Sequence, residues 1–246
     1  MKHIFANWKM YLDFDETMIL TNQLLQEDFN LEKINLAFFP NALSCSEVIK
    51  AVQDSPIEVG AQTVNWTPRG AYTGGTSAEF YKNVGCKYAL VGHSERRYVF
   101  GESDEDTHKK LSACLDAGLT PVLCIGETKE DREEGKTEYR LKKQLMKAFE
   151  NLELGGNELI IAYEPVWAIG TGDACLPDEV FKIAKFITNE VKQYFEAYAP
   201  VLYGGSVKAE NVVSYLSQDI VAGVLVGGAS TKLDTFLAVI KEIENL

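Results

Sequence analysis

The sequence has no apolar run approaching the ~18 residues of a membrane-spanning helix, so no span is expected. It has no CxxC pair. Its five cysteines, Cys45, Cys86, Cys114, Cys124 and Cys175, are odd in number and widely spaced, which argues against a zinc or redox motif and fits a reducing compartment. It has no cation excess. Lys and Arg total 24 against 36 Asp and Glu, and a net charge of −12 is unsuited to counterion-releasing contact with nucleic acid or to docking on anionic lipid. The opening residues turn polar after five positions, too soon for the apolar core of a signal peptide, so the cytoplasm is the expected location. No Pro-, Gly- or Ser-rich linker divides the 246 residues. Hydrophobic residues make up 46% and charged residues 24%, the composition of an ordinary globular chain.

What the sequence does contain is a repeated short apolar run: His3–Asn7, Ile34–Phe39, Ile57–Ala61, Tyr88–Gly92, Pro121–Ile125, Leu159–Tyr163, Val201–Tyr203 and Ile220–Val226. Most are continuously apolar and do not alternate, as expected of strands buried on both faces of a parallel sheet. Helical patterns lie between them. Asp13 with Glu16 and Ser103 with Asp106 predict capped helix starts. Leu141, Leu145, Phe149 and Leu152 predict one helix by their spacing, and Pro177 predicts the first position of another. Leu233, Phe236, Leu237 and Ile240 predict the inward face of a last helix after Ser230. Eight strand–helix units in about 250 residues predict a (β/α)8 barrel, with an open doubly wound sheet as the alternative. The connection from Thr63 to Val84 is long and carries Trp66, Tyr72, Phe80 and Tyr81, which points to a partner surface.

Polar residues cluster at the ends of these runs: Asn7 and Lys9, Gln62 and Asn65, His93 and Glu95, Glu127, Glu164, Ser206, and Gly227 with Gly228. In a parallel barrel all strand C-termini meet at one mouth, so these side chains converge. A cation at the exit of an apolar strand suggests an anion contact for Lys9, oriented by Asn7. A neutral imidazole at His93 can donate a proton or hydrogen bond near neutral pH. Desolvation of Glu164 at the end of a strand favours a base of raised strength. Pro165, Val166 and Trp167 are stiff and Gly170, Thr171 and Gly172 pliant, the makings of a lid. The paired glycines of Tyr203–Ser206 and Val226–Ser230 precede helix starts and suit a phosphate cradle of backbone N–H groups. Gly170–Cys175 lacks the third glycine of a dinucleotide fingerprint. His3 and His108 sit on a strand and on an amphipathic helix, where a packing role is expected.

The stretches ANWKM, VGHSERRYVFGE, VLCIGET, AYEPVWAIGTG, YGGSV and LVGGAS, spanning Ala6 to Ser230, resemble the triosephosphate isomerase family in order and approximate spacing. The resemblance implies an α/β fold, a single (β/α)8 TIM barrel over residues 1–246. It implies interconversion of dihydroxyacetone phosphate and D-glyceraldehyde 3-phosphate in glycolysis and gluconeogenesis, as a cytoplasmic homodimer with no metal or organic cofactor. By the same resemblance Glu164 is the base, His93 the neutral electrophile, Asn7 and Lys9 substrate contacts and Glu95 a supporting acid. Gly170, Ser206, Gly227 and Gly228 are the phosphate grip, and Pro165, Val166, Trp167, Ala168, Ile169, Gly170, Thr171 and Gly172 the lid. Thr73, Gly74, Gly75 and Arg96 fall at the dimer interface. Gly75 stands where family members commonly carry a Glu that pairs across the interface with an arginine matching Arg96. Glu79 or Glu102 is a candidate for that vacant role, and Gly75→Glu is expected to tighten the dimer. Asp173, Ala174 and Cys175 replace the usual far hinge of the lid.

Overall fold

A computed structural model describes residues 1–169, 174–196 and 198–246. The eight apolar runs form eight strands: β1 (Lys2–Asn7), β2 (Ile34–Phe39), β3 (Glu58–Ala61), β4 (Tyr88–Val91), β5 (Thr120–Ile125), β6 (Ile160–Tyr163), β7 (Val201–Tyr203) and β8 (Gly223–Val226). Each pairs in parallel with the next, and β1 closes on β8 through Ile4 and Val224, giving a closed barrel in sequence order. The open-sheet alternative is therefore set aside.

The continuous apolar runs follow from burial on both faces. Phe5, Phe39, Leu90, Val122, Ile160, Leu202 and Leu225 fill one core made of strand residues alone, the barrel interior. Their neighbours Ile4, Ala6, Phe38, Val91, Leu123 and Ile161 pack instead with helical residues. Period-2 alternation thus exists in direction but not in polarity. Strand β3 gives the interior no side chain from that cluster. A Cβ at its Gly60 would stand 2.2 Å from the Phe39 ring, so a glycine there makes room for Phe39.

Ten α-helices surround the barrel among the described residues: α1 (Phe14–Leu24), α2 (Cys45–Val52), α3 (Ala78–Val84), α4 (Ser94–Tyr98), α5 (Asp104–Ala117), α6 (Lys129–Glu133), α7 (Thr137–Ala148), α8 (Pro177–Val191), α9 (Ala209–Leu216) and α10 (Leu233–Glu244). The capping boxes at Asp13–Glu16 and Ser103–Asp106 are both formed, and Pro177 opens α8. None of these helices is long and apolar enough to cross a membrane.

Two sequence expectations need correction. Helix α7 ends at Ala148 and Leu152 lies beyond it, because Phe149 leaves helical geometry and Asn151 takes a left-handed φ of 56°. The long third connection is not all partner surface. Its end folds into α3, where Tyr81 is buried in the core, and Trp66 lies under the Lys109 ammonium at 5.6 Å. Tyr72 and Phe80 stay substantially exposed. His3 packs edge-on against Phe5, and His108 Nδ1 lies 3.0 Å from the Ala148 carbonyl, as expected of packing residues.

Candidate active site

The strand ends place the candidate residues. Asn7 is the last residue of β1, Glu164 the first after β6, and His93 the second after β4. A cavity of about 600 Å³ at this mouth is lined by Asn7, Lys9, His93, Glu164, Ser206, Gly227 and Gly228, among others. Seven of the residues singled out in the sequence therefore meet in one space. Glu95 does not line it. Its carboxylate binds the Lys9 ammonium at 2.7 Å and is half-exposed, so it acts on Lys9.

Lys9 has a left-handed backbone, φ 51°, which costs a non-glycine residue about 1–2 kcal/mol. Two contacts hold it there. The Lys9 N–H donates to Asn7 Oδ1 at 3.1 Å, and the Lys9 carbonyl accepts from Gln62 Nε2 at 2.8 Å. Strain maintained in this way is typical of functional sites. It brings the Lys9 side chain across Gly227, where an added Cβ would stand 3.3 Å from Lys9 Cε.

His93 caps helix α4 with its own ring, Nδ1 accepting the Glu95 N–H at 3.2 Å. With Nδ1 turned to the helix amide, Nε2 is the ring nitrogen left facing Glu164. Nε2 lies 3.2 Å from Glu164 Oε1, and both side chains are buried. Glu164 Oε2 accepts the Ser94 N–H at 2.8 Å, while Oε1 is a buried oxygen with no hydrogen bond among the described residues. A buried acceptor left open is costly and calls for a reason. Here it is a carboxylate oxygen free to take a proton. Gly126 permits this placement, since a Cβ there would fall 1.7 Å from the Glu164 carbonyl oxygen. Burial, with Glu164 beside it, pushes the Cys124 thiol well up, so Cys124 serves as uncharged packing.

Ser206, Gly227 and Gly228 line the same cavity, and among the described residues their amides make no backbone hydrogen bond outside the helices and strands. Buried Ser230 pins that turn through its Oγ, which donates to Val226 and Gly227 carbonyls at 3.0 and 2.7 Å. Open amides at the start of a helical turn favour an anion.

The first half of the expected lid is anchored. Val166–Ala168 forms a 3-10 turn, and Trp167 Nε1 donates to buried Glu127 at 2.7 Å while the Arg132 guanidinium stacks 3.8 Å over the indole. Burial raises the Glu127 carboxyl above its usual range, against the opposing pull of its Trp167 and Tyr163 hydrogen bonds. Ile169 reaches the cavity. At the far end, the Cys175 N–H donates to Tyr203 Oη at 3.3 Å and its carbonyl accepts from Tyr215 Oη at 2.7 Å. Gly170, Thr171, Gly172 and Asp173 lie outside the described residues.

Several contributors were not singled out for a role from sequence. Gln62 was noted as a strand-end residue, but its hold on Lys9 is not visible there. Nor is the Ser94 amide on Glu164. The cavity also continues past the glycine turns to Lys208, Glu210, Lys232 and Asp234, residues that directly follow the two Gly-Gly motifs. Position after those motifs was the one available signal.

A closed parallel barrel that brings a buried carboxylate, an imidazole and a lysine into one cavity beside two glycine turns has the parts of an acid–base enzyme. Comparison with known proteins gives the family. The family model described as triosephosphate isomerase matches residues 2–243, and the chain belongs to that family. A triosephosphate isomerase of Francisella philomiragia is 42% identical, with all of this chain and 98% of the relative covered. That of Aquifex aeolicus is 39% identical over 96% of this chain and 97% of its own, and that of Dictyoglomus thermophilum 38% identical over 98% of each.

Proposed function

We propose that this chain interconverts dihydroxyacetone phosphate and D-glyceraldehyde 3-phosphate by moving a proton between C1 and C2 through an enediolate. The observation that carries the reading is buried Glu164 with its Oε1 3.2 Å from His93 Nε2, both lining the cavity that Lys9 enters. Glu164 takes the proton alpha to the carbonyl. His93 donates its Nε2 hydrogen bond to the carbonyl oxygen, where negative charge develops, and the Lys9 ammonium lies close enough to share it. Donors already in place at a developing charge are a strong source of rate enhancement. Ser206, Gly227 and Gly228, with Gly170 from the undescribed segment, hold the phosphate. The segment Pro165–Gly172 closes over it and excludes water, a closing loop of the kind this family exemplifies. A coupled assay with D-glyceraldehyde 3-phosphate tests the reading: turnover supports it, and a folded protein that leaves the substrate unchanged refutes it.

The reading predicts how inhibitors rank. Inorganic phosphate and 2-phosphoglycolate compete with substrate, and 2-phosphoglycolate, whose carboxylate resembles the enediolate, binds at least ~100-fold more tightly. Calorimetry measures both, and equal affinities would contradict a preorganised enediolate site.

The same reading takes residues 1–246 as one domain acting as a homodimer in the cytoplasm. Exposed apolar residues that follow three of the first four strands support self-association: Met10, Tyr11 and Phe14 after β1, Leu43 after β2, and Tyr98, Val99 and Phe100 after β4. Thr73, Gly74 and Gly75 are likewise exposed. Intrachain contacts support a different reading of Gly75→Glu. Arg96 already binds Glu102 of its own chain at 2.6 Å, and Glu79 is held by Arg69. A Cβ at position 75 would stand 3.0 Å from Asn65 Nδ2 and 3.2 Å from the Tyr72 carbonyl oxygen. The Asn65 backbone is fixed on both sides, its N–H to Thr76 and its carbonyl to Ala78. Gly75→Glu is therefore expected to leave self-association no tighter and to lower stability by ~1 kcal/mol, or about 2–4 °C in Tm. Sedimentation on dilution and thermal unfolding measure these effects.

A further inference from the structure

The five cysteines are all free and buried, but they are not equivalent. Cys114, Cys124 and Cys175 are buried apart, and burial pushes the Cys114 and Cys175 thiols up to about 12. Cys45 and Cys86, 41 residues apart in the chain, have their Sγ atoms 3.4 Å apart. Two local devices place them. Cys45 is the first residue of the eight-residue helix α2, after a turn in which Asn41 Oδ1 accepts the Leu43 and Ser44 N–H groups. Cys86 follows the left-handed Gly85 that ends α3, and its N–H donates back to the Tyr81 carbonyl. Gly85 lets α3 end close against α2, since a Cβ there would lie 3.1 Å from Ile49 Cγ2.

We propose that Cys45 and Cys86 form a built dithiol that a small peroxide oxidises to an intrachain disulfide joining the start of α2 to the turn before β4. The chemistry divides between the two sulfurs. A thiolate at a helix start is favoured by the helix dipole, and hydrogen bonding with Cys86 holds the Cys45 thiol below the usual range. The Cys45 thiolate attacks one peroxide oxygen; the O–O bond breaks, leaving a sulfenic acid and releasing one water after protonation. The Cys86 sulfur then attacks the sulfenyl sulfur, the S–O bond breaks, and a second water departs with the thiol proton. Two electrons pass from the thiols to the peroxide, which is reduced to two waters. The sulfurs need to approach by little more than 1 Å to reach bonding distance, about 2.05 Å. The product closes a 41-residue loop and restricts the unfolded chain.

The test uses the native protein. Hydrogen peroxide is added and removed with catalase, the remaining thiols are alkylated in denaturant, and the digest is analysed by mass spectrometry. The expected result is a peptide pair joined through Cys45 and Cys86, with two fewer thiols per chain and both restored by dithiothreitol. Oxidised protein should melt several degrees higher than reduced protein, and Cys86→Ala should abolish that rise. Recovery of Cys45 and Cys86 as free thiols, or as separate sulfinic acids, after peroxide has consumed other cysteines would overturn the proposal.

Discussion

Glu164→Asp is expected to reduce kcat by ~100-fold or more while KM moves only a few-fold. The carboxylate remains but is withdrawn by one methylene, and proton abstraction falls by about two orders of magnitude for a displacement near 1 Å. The surroundings offer little slack to recover that distance. Oε2 is tied to the Ser94 amide, and a Cβ added at Gly204 would stand 2.9 Å from Glu164 Cγ, so the side chain runs through a packed channel. The proposed phosphate contacts at Ser206, Gly227 and Gly228 are left in place, which is why binding should survive. Steady-state kinetics on the folded variant separate the two parameters. A large rise in KM with unchanged kcat would mean that Glu164 binds substrate and does not abstract the proton.

Lys9→Met is expected to fold and to lose activity by ~1000-fold, equivalent to about 4 kcal/mol of transition-state stabilisation. Methionine keeps much of the side-chain length and removes the ammonium. The backbone contacts from Asn7 and Gln62 that hold position 9 at φ 51° do not involve Nζ, so the loop can keep its shape. Glu95 would lose its cation and, being half-exposed, would turn to water. The loss then reports the charge and not the fold. Circular dichroism and thermal unfolding establish folding, and activity within tenfold of the wild type in a folded variant would remove Lys9 from the mechanism.

The barrel was legible in the sequence because its strands are apolar on both faces. Ile4 and Phe5 face different cores, yet both must be apolar, and so the runs stand out. Helix starts were legible where capping is local, as at Asp13–Glu16. Helix ends were harder to read: Leu152 keeps helical spacing but lies past the point where the backbone turns at Asn151. The last strand begins at Gly223, three residues later than its apolar run, because a turn closed by the Val221 N–H on the Gln218 carbonyl precedes it.

The candidate site was legible as a list of residues, since each lies at a strand exit. Its geometry was not. The Gln62 contact that holds Lys9 and the Ser94 amide on Glu164 join separate strand ends, and no spacing encodes them. Within the chain Arg96 pairs with Glu102, a contact that their separation of six residues does not by itself reveal. The meeting of Cys45 and Cys86 depends on how α2 packs against the end of α3, which separation in sequence conceals.

In the proposed reaction a proton, and not a hydride, moves between C1 and C2. The most direct test is turnover of D-glyceraldehyde 3-phosphate in D2O, with the dihydroxyacetone phosphate product read by NMR. Proton abstraction by Glu164 predicts product carrying solvent deuterium at C1, with its rate of appearance falling in Glu164→Asp in step with kcat. Product with no deuterium at C1 that also forms at an unchanged rate in Glu164→Asp would show direct hydrogen transfer between the carbons and contradict proton abstraction by Glu164.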